Sequence, residues 1–170
     1  APAGARPLPA GADAGVLALA AALARLAPGR ADLAVLLPPA EATATDAIRR
    51  EARRCLATRF AGRPIPTGFG HGDFAPWNLR RLPDGSPYAF DWEYGGPGQP
   101  VTDDLFHCLF MPAALVRRLD PRQAVATVLD AVATGSNAAL LPELRVDRAD
   151  APACFLLYLL RLDARGVGIS

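Results

Sequence analysis

His71-Gly72-Asp73-Phe74-Ala75-Pro76-Trp77-Asn78, followed after a short stretch by Phe90-Asp91-Trp92-Glu93, is the segment on which the reading of this 170-residue chain turns. Asp73 and Asn78 stand five positions apart, and Asp91 comes thirteen after Asn78. Between them, Leu79 to Leu82 and Pro87 to Phe90 flank Pro83-Asp84-Gly85-Ser86, a turn-forming run, so the spacing predicts a small hairpin. That hairpin sets Asn78 and Asp91 at adjacent strand ends, where both can face one hard cation. Taken singly, each residue is ordinary. His-Gly-Asp makes a turn, Asn78 caps a turn and Asp91 caps a helix. The joint spacing carries the information.

Phosphoryl transfer from a nucleotide needs a carboxylate that orients the attacking hydroxyl and oxygen ligands that hold Mg²⁺ against the phosphates. Residues 71–78 have the form H-x-D-x-x-x-x-N of a kinase catalytic loop, and Asp91 falls where a second metal-holding Asp belongs. With H-G-D-F-A-P-W-N at 71–78, F-D-W-E at 90–93 and D-L at 104–105, the sequence resembles the aminoglycoside phosphotransferase and choline kinase family. That family has the protein-kinase-like fold and phosphorylates small-molecule hydroxyls. The resemblance implies Asp73 as catalytic base, Asn78 and Asp91 as metal ligands, and Asp104 as a brace hydrogen-bonded to the loop backbone. It implies that His71 organises the loop without reacting. Glu93 is a candidate for holding metal through water, or a plain surface carboxylate. Mg²⁺ and ATP (or GTP) are the implied cofactors. Gly72 stands where regulated protein kinases carry an Arg that reads a phosphorylated loop, so a small-molecule kinase fits better than a signalling kinase.

All 18 cationic residues are Arg, with no Lys. A kinase of this type holds the α- and β-phosphates with a strand Lys in its small N-terminal lobe. No strand–glycine loop–strand pattern precedes residue 71 either. The expectation is that residues 1–12 are a Pro/Gly/Ala linker and 13–170 the C-terminal lobe, the nucleotide-clamping lobe being absent. Such a chain has little turnover alone. The competing expectation is a kinase-derived scaffold without catalysis.

Composition narrows the class. Of the 51% hydrophobic residues, 35 are Ala, which favours helix over strand. The expected fold is α+β and mainly helical, with short hairpins at the active site. A net charge of +1 makes no case for nucleic acid or an anionic membrane surface. Cys55, Cys108 and Cys154 are odd in number and read as reduced core thiols of a cytoplasmic protein. The apolar runs at 14–24 and 153–160 read as core helices rather than a signal or a membrane span.

Punctuation gives the remaining elements. Asp13 caps a helix over 14–27 that Pro28-Gly29 ends. A helix over 40–60 buries Ile48, Cys55, Leu56 and Phe60, with Arg49, Arg50, Arg53 and Arg54 opposite. Gly95-Gly96-Pro97-Gly98 reads as an irregular loop. Helices begin near Asp103, after Asp120-Pro121 (ending at Gly135) and near Ala151, the last stopping at Gly166. Trp77 is expected to anchor the loop in the core and Trp92 to pack under Asp91. At most one of Arg80 and Arg81 can face phosphates. His107 reads as an ordinary histidine. For the acceptor, an aminoglycoside would use carboxylates such as Asp130, Glu143, Asp147, Asp150 and Asp163; a sugar or an amino alcohol stays equally open.

Overall fold

A computed structural model describes residues 2, 4–8, 13–39 and 47–166. Half of the expected linker (residues 1, 3 and 9–12) and the start of the expected 40–60 helix lie outside the described residues. Two small antiparallel sheets sit against a helical body. Strands β1 (Arg6–Pro7), β4 (Leu79–Arg81) and β5 (Pro87–Ala89) form one, in the order β1-β4-β5. Strands β2 (Gly29–Ala31), β3 (Ile65–Gly70) and β6 (Gly96–Pro100) form the other, with β3 central. The helices are α1 (Ala14–Ala24), the single turn α2 (Leu33–Leu36), α3 (Ala47–Arg59), α4 (Asp103–Met111), α5 (Pro121–Ala133), α6 (Gly135–Glu143) and α7 (Ala151–Ala164).

The hairpin β4–β5 lies where the turn sequence places it, with Leu79 opposite Ala89. Beyond the expected hairpin, the described residues form strands β1, β2, β3 and β6. Arg6–Pro7, within the supposed linker, pairs with Arg80 and Arg81 of β4. Three residues of the run 95–98, read as an irregular loop, belong to β6, which pairs along β3 with a register shift between Gly68 and Gly70. Strand pairing uses only the backbone, so a Gly/Pro-rich edge strand carries little side-chain signature. Gly135, expected to end a helix, begins α6 instead, after Thr134 breaks α5 in extended conformation.

Helix ends follow their caps. Asp13 accepts from the Val16 N–H at 3.0 Å, and Asp120 accepts from Arg122 and Gln123, with Pro121 in the first turn. Gly166 has φ +70° and follows the end of α7. The π-helical turn Pro112–Val116 follows directly on α4.

One hydrophobic core gathers Leu17, Leu56, Phe106, Val128, Leu141, Phe155 and Leu157 from the helices. A smaller one, of Val16, Ala20, Phe74, Leu79, Ala89 and Cys108, lies beneath the hairpin. Helix α1 feeds both, which accounts for its unbroken apolar run. In α3 the inward face is Ala52 and Leu56, continued by Phe60. Ile48 is 80% exposed, and Cys55, one residue out of phase with Leu56, faces solvent. The core-thiol expectation therefore holds for Cys108 and Cys154 and fails for Cys55.

Sheet and helix meet most closely at Gly68. A Cβ there would lie 1.8 Å from the Ala24 carbonyl oxygen at the end of α1. Gly68→Ala must push α1 from β3, and it is expected to destabilise the chain by about 3 kcal/mol. Urea unfolding measures this; an unchanged midpoint would show that the two elements do not meet this closely.

Candidate active site

The loop between β3 and β4 closes as Pro76–Asn78 form a 3-10 turn. Phe74, Ala75, Pro76 and Asn78 are buried while Trp77 faces outward, 39% exposed. Loop anchoring thus belongs to Phe74, fully buried in the small core, and the expectation for Trp77 is corrected. Burying a Phe of this kind contributes about 1.5–3 kcal/mol.

The chain reverses direction at Gly72, whose φ is +84°. A Cβ there would sit 2.4 Å from the Tyr94 carbonyl oxygen, so only glycine fits without displacement. The reversal leaves successive N–H groups pointing inward. Asp104, in the first turn of α4, accepts both: Oδ2 from His71 N–H at 2.7 Å and Oδ1 from Gly72 N–H at 3.0 Å. Burial pushes the Asp104 carboxyl upward, and these two N–H bonds oppose that. From the other side, Arg165 donates to the Gly72 carbonyl at 2.6 Å.

His71 is fully buried. Its Nδ1 accepts from Asp73 N–H at 3.3 Å and its Nε2 lies 2.9 Å from the Phe90 carbonyl. A carbonyl only accepts and an amide N–H only donates, so the ring is the Nε2–H tautomer. It ties the loop to the end of the hairpin. Trp92 covers it, ring centroids 4.4 Å apart, and donates its own N–H to the Ala89 carbonyl.

Asp73 is held at both oxygens. Asn78 Nδ2 donates to Oδ2 at 2.7 Å and to the Asp73 carbonyl at 3.0 Å. His107 Nε2 lies 2.7 Å from Oδ1. The His107 hydrogen bond holds the Asp73 carboxyl below the usual range, with partial burial opposing it. About a third of the side chain (31%) stays exposed, so an ionised carboxylate is presented to an incoming molecule. His107 was not expected here. It lies three residues after Asp104 on the same helix, hence on the face that meets the loop, and that spacing was the available signal.

Asn78 Oδ1, with Nδ2 committed to Asp73, is left without a hydrogen-bond partner among the described residues. Phe90 N–H donates to the Asn78 carbonyl at 3.1 Å, which sets Asp91 next to Asn78 at the open end of the hairpin. Asp91 is exposed and has φ +67°, an uncommon backbone state for a non-glycine residue. Glu93 is exposed as well. Asp73, Asn78, His71 and Asp104 are thus linked by hydrogen bonds, whereas Asp91 and Glu93 stand at the solvent edge. Arg80 lies over the Phe90 ring at 4.6 Å and donates to the Trp77 and Leu79 carbonyls; Arg81 pairs with Asp13. Both guanidinium groups are engaged away from Asp73.

Beneath the loop, Asp103 is paired with Arg161 at 2.9 Å, and its Oδ1 is buried without a partner. Arg161 also donates to the Leu36 carbonyl and to Gln99. Asp103 and Arg161 line a cavity of about 10 Å³, together with Gly72, His107, Tyr158 and Arg165. That is space for about one water molecule.

The sequence profile of the phosphotransferase enzyme family (APH) matches residues 5–151. The chain belongs to that family. Among curated proteins and solved structures, none matches it.

Burial is the main cause that pushes the Asp103 carboxyl up to about 6 from 3.8, with Arg161 opposing. The folded chain therefore binds this proton more tightly than the unfolded chain. The resulting cost to stability is absent below pH 3.8 and complete above about 6. Stability measured for wild type minus Asp103→Asn should fall by roughly 2–3 kcal/mol between about pH 4 and 6.5. Urea midpoints across that range test it, and a flat difference would place Asp103 in a solvated setting.

Proposed function

We propose that this chain carries the catalytic centre of a kinase that moves the terminal phosphoryl group of ATP or GTP to a hydroxyl of a small molecule. One observation carries the reading: a partly exposed, ionised Asp73 is oriented at both oxygens within a loop whose backbone is itself held. The acceptor oxygen forms the new bond to phosphorus, and the bond to the leaving diphosphate breaks. The acceptor proton passes to, or is oriented by, Asp73.

Asn78 Oδ1 and the Asp91 carboxylate suit Mg²⁺, which takes few protein oxygens and completes its shell with phosphate and water. Among the described residues, no three His, Cys, Asp or Glu side chains cluster as a metal site, in keeping with so sparse a set. When bound, Mg²⁺ supplies charge neutralisation at the phosphates. Glu93 is close enough in sequence to Asp91 to hold water at that edge. The order of catalytic loop, hairpin and helices α4–α7 supports reading residues 13–170 as the C-terminal lobe of a protein-kinase-like fold. The phosphate-clamping Lys then belongs to residues outside this sequence, which has none. Burial pushes the Cys108 and Cys154 thiols up to about 12, so both are structural rather than reactive.

Three of the five carboxylates that an aminoglycoside would use are engaged in ion pairs. Glu143 pairs with Arg25, Asp163 with Arg49, and the buried Asp150 with both Arg59 and Arg63. This supports a neutral polyol such as a sugar over an aminoglycoside as acceptor.

Asp73→Asn keeps the shape and removes the base, and should lower turnover on the order of 10²–10⁴-fold. Nucleotide affinity should change little, since Asp73 does not hold the phosphates. ATP consumption by the full-length protein against aminoglycosides, sugars and amino alcohols, with a nucleotide titration alongside, reads both quantities. Undiminished turnover removes Asp73 from the mechanism.

A further inference from the structure

Behind Asp73 the hydrogen-bonded chain continues. His107, on α4 and 4% exposed, reaches Asp73 Oδ1 through Nε2 at 2.7 Å and the Tyr158 hydroxyl of α7 through Nδ1 at 3.1 Å. A carboxylate only accepts, so Nε2 carries a hydrogen. The Tyr158 hydroxyl is buried, and its one hydrogen-bond partner among the described residues is that Nδ1. Were Nδ1 also protonated, the hydroxyl hydrogen would have no acceptor among the described protein groups. The arrangement that satisfies every group has Tyr158 O–H donating to Nδ1 and Nε2–H donating to Asp73. Both rings are held by packing: they meet edge to face at 5.9 Å, and Tyr158 stacks on Phe155.

We infer that His107 and Tyr158 are positioning residues for Asp73, Tyr158 fixing the His107 tautomer and His107 fixing the rotation of the carboxylate. The inference rests on the reading of Asp73 as the group that meets the acceptor hydroxyl. With Oδ1 bound to the imidazole and Oδ2 bound on one side by Asn78, the carboxylate cannot turn about its last bond. The remaining lone pair of Oδ2 is then aimed in one direction. Tyr158 lies beyond the segment matched by the family profile, so this support comes from a part of the chain that the profile does not describe.

The test has two arms. In the intact protein, ¹⁵N shifts of the His107 ring should show Nε2 protonated and Nδ1 bare, and Tyr158→Phe should populate both tautomers. An Nδ1–H ring in the wild type overturns the inference whatever the activity. In turnover, His107→Leu should lower kcat on the order of 10²-fold through misplacement of the carboxylate. Nucleotide affinity should stay unchanged. His107→Gln, whose amide nitrogen can reach the place of Nε2, should recover most of that loss, and Tyr158→Phe should lose roughly tenfold. Wild-type kcat in His107→Leu, with Asp73→Asn inactive, overturns the positioning role and leaves the kinase reading intact. Wild-type turnover in Asp73→Asn removes Asp73 from the mechanism and this inference with it, whereas no turnover of any acceptor by the wild type overturns the kinase reading itself.

Discussion

The site is organised around the buried carboxylate of Asp104. Asp104 is almost wholly buried, and it accepts the N–H groups that the reversal at Gly72 turns inward. An N–H left unpaired in such a place costs about 1–3 kcal/mol, and a buried carboxylate without donors costs more. Each therefore makes the other tolerable. The next two residues, Leu105 and Phe106, enter the helical core, so packing fixes where Asp104 sits. The loop takes its position from Asp104 and from Phe74 in the smaller core, and Asp73 is held further by Asn78 and His107.

The legibility of this arrangement in the sequence depended on distance along the chain. Asp73, Asn78 and the hairpin to Asp91 are local, and their spacing and turn residues sufficed to place them. Caps at Asp13 and Asp120 were readable for the same reason. Contacts between remote segments were not: Tyr158 with His107 joins positions 51 apart, and nothing local in either residue announces the other. Residues 96–100 hid a strand because their pairing with β3 uses backbone groups alone. Trp77 misled through size, since a large aromatic in a loop suggests an anchor, yet the tight turn at Pro76 points it outward.

Two cores divide the work of support. The larger, built from α3 to α7 with part of α1, holds Asp104 and the Tyr158 ring in place. The smaller lies under the hairpin and takes Phe74 and Leu79, one on each side of the 3-10 turn. Helix α1 gives Leu17 and Ala21 to the first and Val16 and Ala20 to the second. The loop that carries Asp73 is thus braced by the larger core through Asp104 and by the smaller through Phe74, with α1 as the shared wall.

Arg165 stands at the very end of α7 and yet donates to the Gly72 carbonyl. Terminal helical turns open and close at far lower free energy than the core of the domain. Each such opening releases one of the ties on the reversal at Gly72 while the Asp104 bonds persist. The Gly72 carbonyl is thus released whenever the last helical turn frays, whereas the His71 and Gly72 amides, bonded to Asp104, exchange only when the core beneath them opens.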